Sequence, residues 1–144
     1  MSTHRHIGIV GTTFVAAVDF SACPTSLYRL VRAGSINGEV NLANGASGPV
    51  PLGVLQDTPS PGQGAEIILL GTTKLMGRVN GSGCNLVAGR YVVSGSDGTV
   101  EAASVSGCGV YCAMWLGPTV STAGASAIGE AIFYGLSTCS QSLT

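Results

Sequence analysis

Residues Pro49–Ala103, PVPLGVLQDTPSPGQGAEIILLGTTKLMGRVNGSGCNLVAGRYVVSGSDGTVEAA, constrain the fold more than any other part of the chain. Short apolar runs are cut there at regular intervals by Gly, Pro and Asp-Gly. The runs Leu52–Leu55, Ile67–Leu70, Leu75–Val79 and Tyr91–Val93 are too short for helices, carry β-branched residues and end at turn formers, so each is expected to be a strand. Asp97-Gly98, between RYVVS and TVEAA, is the clearest turn, because glycine takes at little steric cost the positive φ that a tight hairpin requires.

A β-unit of this kind belongs to one ordinary domain: 144 residues can bury a sizeable core without help from a disulfide or a metal. Charged residues make up only 9% of the chain, against about 25% in a typical soluble domain, and the 22 glycines are about twice the usual share. The surface must therefore be built from Ser, Thr, Asn, Gly and apolar groups. Such a surface lacks the charge repulsion that keeps a monomer apart from its neighbours, which points to coverage in an assembly; a secreted Gly/Ser/Thr-rich β-domain is the plainer alternative.

The net charge of −1 and the scattered basic residues Arg5, Arg29, Arg32, Lys74, Arg78 and Arg90 exclude the concentrated cationic footprint that nucleic acid needs. The five cysteines, Cys23, Cys84, Cys108, Cys112 and Cys139, cannot all pair within the chain, which favours synthesis in a reducing compartment. Four residues along a strand cover roughly 13 Å, too far for Cys108 and Cys112 to share a bond or a metal; only on a helix could they hold a zinc. His4 and His6 fit a mobile N-terminal arm better than a metal site, and no metal or cofactor is expected. With both histidines in the first six residues and the seven carboxylates dispersed, no catalytic constellation forms, and GQG at Gly62–Gly64 lacks the setting of a phosphate loop. The chain is not expected to be an enzyme.

HRHIGIVGTTFVAAVDFSAC faintly resembles a lipoprotein signal, but Asp19 and Thr12-Thr13 oppose export. The uncharged run between Glu101 and Glu130 is broken by Pro118 and many Gly, Ser and Thr residues, so no membrane helix is expected. Ile7–Val10 and Phe14–Phe20 are expected to be two short extended segments separated by Gly11-Thr12-Thr13. In SLYRLVRAGSINGEVNLA, Leu27, Leu30 and Val31 fit helical spacing, whereas Asn37-Gly38 before EVNLA fits a hairpin turn.

From Ser26 to Tyr134 the chain resembles the capsid decoration, or cement, proteins of tailed bacteriophages. The pieces that carry the likeness are Tyr28-Arg29-Leu30-Val31-Arg32, a Gly-containing turn leading into Glu39-Val40-Asn41-Leu42-Ala43, the segment Pro51–Gly71 and the segment Cys84–Ala103; their order and spacing are what is specific. The resemblance implies a mainly β, compact barrel-like domain with short hairpins, with Leu27–Arg32 as strand. It also implies a homotrimer on the outer face of an icosahedral head, made in the host cytoplasm, with the major capsid protein as partner. Met1–Phe20 and the tail after Leu136 have no counterpart, and Cys108–Trp115 is more apolar and cysteine-rich than the family pattern. Residues 1–20 are accordingly read as an extended N-terminal arm before a decoration domain at 21–144. Ile7, Gly8, Ile9 and Val10 are the candidates for pairing with a capsid strand, since an exposed sheet edge accepts an added strand.

In VYCAMWL, a strand puts Val110, Cys112, Met114 and Leu116 on one face and Tyr111, Ala113 and Trp115 on the other. Both faces are apolar, and EAIFYGL at Glu130–Leu136 behaves alike. Each strand is therefore either central to a closed barrel or pressed on another subunit. Trp115, Phe133 and Tyr134 are the candidate interface anchors. The expected function is a virion structural protein that ties capsomers together against internal DNA pressure, held by several equivalent contacts. The alternative is a carbohydrate- or receptor-binding β-domain, which should carry a concave site with an exposed aromatic and convergent polar groups.

Overall fold

A computed structural model describes residues 7–21, 26–45, 50–79, 84–103 and 111–137. These residues form a mainly β fold organised as two closed circuits of strands that share one wall. The first circuit runs β1 (Ile7–Ala16), β3 (Glu39–Leu42), β2 (Leu30–Ala33), β4 (Pro51–Leu55) and β5 (Gly64–Arg78), and closes by antiparallel pairing of β5 with β1. The second runs from β5 through β7 (Val100–Ala102), β6 (Tyr91–Ser94) and β8 (Tyr111–Trp115) to β9 (Ser126–Ser137), which returns to β5. A barrel-like domain is thus what the chain folds into.

The shared wall is possible because β5 is 15 residues long, roughly 50 Å at strand rise. Its first half pairs with β1, from Val15↔Gly64 to Ile7↔Thr72, and its second half with β9, from Gly71↔Phe133 to Arg78↔Ser126. Ile67–Leu70 and Leu75–Val79, expected as separate strands, are therefore two parts of one. The face that β5 turns inward changes on the way. Ile67 packs in the first core while Ile68 and Leu75 pack in the second, which strict alternation along one flat strand forbids. Two devices lie in that interval: the register shift that sets Ile9 opposite Leu70 but Val10 opposite Ile68, and Gly71 at φ 122°, a conformation open to glycine.

The sheet β2–β4–β5 separates the two cores. Val31, Leu55 and Ile67 face Ala16, Phe20, Val40 and Ala65, whereas Leu30, Val54 and Ile68 face the larger cluster around Trp115 and Phe133. Where they lie between the two cores, at Leu30-Val31, Val54-Leu55 and Ile67-Ile68, these strands carry adjacent apolar residues.

Ile7–Val10 and Phe14–Phe20 are not two segments: β1 runs through Gly11-Thr12-Thr13, absorbing the irregularity in a register shift between Gly11 and Phe14. Asp97-Gly98 does turn the chain between β6 and β7, with Gly98 at φ 78° and Gly95 N–H bonded to Thr99 C=O at 2.7 Å. Leu27–Arg32 is strand only from Leu30 onward. Before it, Tyr28 adopts φ 64°, the one non-glycine positive φ among the described residues. Its N–H donates to Leu55 C=O at 3.0 Å and its C=O accepts from Met76 N–H at 2.9 Å, so the residue is held between β4 and β5 in a conformation its side chain disfavours.

Candidate functional site

The outer face of the β5–β9 pair carries two of the hollows of the fold. Register places Thr72 against Ile132, Lys74 against Glu130, Met76 against Ile128 and Arg78 against Ser126. These even-numbered residues point out because Leu75, Gly77, Gly129 and Ala131, between them, are buried. Under this face lies the Trp115 ring, fully enclosed, with its indole N–H bonded to Pro118 C=O at 3.0 Å. A Cβ on Gly129 would sit 2.5 Å from that ring, so glycine there lets the backbone lie directly on the indole.

At one end of the face is a depression of about 540 Å³ lined by Tyr28, Lys74, Leu116, Pro118, Ile128 and Glu130. Its aliphatic groups are open: Leu116 is 42% and Ile128 47% exposed. The Lys74 ammonium lies 5.9 Å from the centre of the Tyr28 ring, a cation–π distance. At the other end a smaller hollow of about 170 Å³ is bordered by Arg29, Met76, Arg78, Asp97, Thr99 and Ser126. Because Tyr28 precedes Arg29, and Met76 and Ile128 lie between Lys74–Glu130 and Arg78–Ser126, the two hollows form one strip along β5 and β9.

Asp97 organises the polar end. Its Oδ1 accepts from the Thr99 hydroxyl and from the Thr99 amide at 3.2 Å. Its Oδ2 lies 3.4 Å from the Arg29 guanidinium and 3.7 Å from that of Arg78, and Arg29 also donates to Asp97 C=O at 2.9 Å. Partial burial pushes the carboxyl up, but the Thr99 hydrogen bonds and the two guanidinium charges outweigh it and leave the pKa below the ordinary carboxylate value.

No family model matches the chain, and no curated protein matches it. Function has to be read from its own surface.

Trp115 and Phe133, expected as interface anchors, have 0% exposure and sit in the second core. A side chain with no accessible surface in its own protomer cannot meet another, so of the two readings of these strands the central one holds at these positions. Tyr134 is half-buried, on the outward side of β9 with Ile132. Its ring is 6.4 Å from Tyr91, which in turn is 5.7 Å from Tyr111, and its hydroxyl is buried with no hydrogen-bond partner among the described residues. Ile7–Val10 belong to β1 and pair with Leu70–Thr72 and Ile68 of β5. One edge of the expected capsid-binding segment is thus committed inside the first circuit; residues 1–6 of the arm lie outside the described residues. Cys112 is buried in the second core, its thiol 3.6 Å from Val92 C=O, and Cys108 lies outside the described residues. Among the described residues no group of three or more His, Cys, Asp or Glu converges on one point.

Sequence reasoning missed Tyr28, Lys74, Arg78, Ile128 and Glu130 as a set. The signal was present in part: Lys74-x-Met76-x-Arg78 is the polar side of a strand recognised by its apolar side.

Proposed function

We propose that the chain is a structural virion protein, a capsid decoration protein that binds the outer surface of a phage head and holds capsomers together. The reading rests on the likeness of Ser26–Tyr134 to that family, and the observation that carries it furthest is an uncovered apolar belt. Exposed Ile132 and Tyr91 are joined by half-buried Met114, and Thr72 continues the line, by register across β5, β9, β8 and β6. Beside them Leu70 is paired with Ile9, itself 58% exposed. In a chain with 9% charged residues, such a belt promotes association. Copies of this chain and the shell beneath are its proposed cover, and Tyr134 is the expected anchor that survives on this face.

Particles sedimented from a lysate in which the chain is made, and imaged at low resolution, test the reading: extra density at or near three-fold positions is expected. A monomer by light scattering that never co-sediments with heads would overturn it. Ile132→Glu, on the surface, should abolish self-association without unfolding the domain.

The carbohydrate-binding alternative draws on the depression at Tyr28, which is concave and carries an aromatic residue with polar neighbours. The Lys74 ammonium takes one face of that ring, the surface on which a sugar would stack.

A further inference from the structure

We propose that the strip along β5 and β9 receives an extended peptide segment of a partner protein, in which an apolar residue is followed two positions later by an acidic one. The strip begins one outward pair beyond the belt's Thr72–Ile132 on the same strand pair, and the proposal does not depend on the phage-head reading.

Spacing is the first argument. Side chains on one face of a strand repeat at about 6.6–6.8 Å, and the strip presents three such repeats: Lys74 with Glu130, Met76 with Ile128, and Arg78 with Ser126. A segment lying flat along it meets the open Met76–Ile128 pair with one side chain and Arg78 with the next on the same face. The depression at Leu116 and Ile128 accepts the flanking apolar bulk.

Charge is the second. Among the described residues, Arg29, Lys74 and Arg78 line the two hollows beside Asp97 and Glu130. Asp97 is already held by Arg29 and Thr99 through the contacts given above, while Arg78, 45% exposed at its side chain, reaches it only at 3.7 Å from the rim. Arg78 therefore has guanidinium N–H groups turned to solvent that a carboxylate can take bidentately. A polymer of sugar acids would bring the carboxylates but not the apolar side chains at strand spacing.

Trp115, the only tryptophan, lies beneath the strip and is bonded to Pro118 at its margin, so its emission reports occupancy. The full chain is titrated with two blocked heptapeptides, Ser-Thr-Ser-Ile-Ser-Glu-Ser and the same sequence with Gln for Glu, and with polygalacturonate. The Glu peptide is expected to bind about tenfold more tightly than the Gln peptide. Arg78→Gln should remove that preference, and Ile128→Ser should weaken both peptides alike. Near-ultraviolet circular dichroism establishes that each variant is folded. Equal affinity for the two peptides, a preference that survives Arg78→Gln, no response to either peptide at millimolar concentration, or a response to polygalacturonate alone would each overturn the proposal. A chain that binds the Glu peptide but no phage head leaves the strip standing and removes the head reading.

Discussion

The two circuits share a strand but are stabilised unequally. Among the described residues the first encloses seven buried apolar residues with Phe20 as the single fully buried aromatic; the second encloses sixteen, including Trp115 and Phe133. Apolar burial is the main favourable term in folding, so the second circuit is the stable body and the first is a smaller barrel built on its wall. The surfaces divide the same way. The peptide strip and most of the apolar belt sit on the outside of the second circuit, where a dense core fixes the backbone beneath them; the first contributes Tyr28, Arg29 and the Ile9–Leu70 pair.

The largest expected effect tests this ranking. Trp115→Ala removes an indole that touches Gly77, Gly117 and Gly129 and should cost about 3–5 kcal/mol, enough to leave a marginal domain largely unfolded. Phe20→Ala should cost less within the same class, because the core it fills is the smaller of the two among the described residues. Urea midpoints at constant slope decide the matter. A larger loss at Phe20 would reverse the assignment of the stable body.

Next comes the hinge between them. Gly71→Val places a β-branched residue at φ 122° and is expected to cost about 1–3 kcal/mol. Because β1 and β9 both pair at Gly71, hydrogen exchange should accelerate on both of those strands. Acceleration confined to β1 would mean that the circuits open independently and that β5 is not a mechanical unit.

How much of this was legible follows from which signals are local. Asp97-Gly98 and the runs at Leu52–Leu55 and Tyr91–Val93 are set by neighbours in sequence, and each forms where expected. The unity of β5 was hidden by Gly71, which punctuates the sequence but serves as a change of face inside one strand. Tyr28 gave no warning, since its positive φ is imposed by Leu55 and Met76 from two other strands. Trp115 and Phe133 read equally well as core or interface, because a strand apolar on both faces looks the same whether its second cover is its own chain or another. The strip depends on pairing Lys74 with Glu130 and Arg78 with Ser126, a register no local pattern specifies.

The circuits also differ in the sign of their pH response. Asp97, on the β6–β7 turn, has its pKa lowered, so its contribution is present above the ordinary value of 3.8 and is lost as pH falls through the lower folded value. Asp57, after β4, has its pKa raised: burial pushes it up and, although the Glu66 amide bonds to it, the Glu66 charge adds to the rise. Its contribution is present below 3.8 and is lost as pH rises through the higher folded value. Asp97→Asn should flatten the acid limb of the stability curve, and Asp57→Asn should relieve the loss on its high-pH side. Both effects are modest because both groups are partly solvated. Identical pH profiles for the two variants would mean that neither carboxyl is shifted by its local surroundings.

The smallest effect is an expected absence of reaction, and it isolates the second circuit alone. Burial pushes the Cys112 thiol up to about 12, so at neutral pH the attacking thiolate is scarce, and the 0% exposure of the side chain denies access. Iodoacetamide followed by mass spectrometry should find Cys112 unmodified in the native protein, while half-buried Cys84 reacts sooner. Labelling of Cys112 can then proceed only through opening of the second core, so its rate should follow global unfolding. Gly71→Val should raise that rate in proportion to its loss of stability, and a surface change such as Arg78→Gln should leave it alone. Modification of Cys112 at native conditions, faster than global unfolding allows, would show that the second circuit opens by itself, and the larger core would no longer be the one that holds the smaller in place.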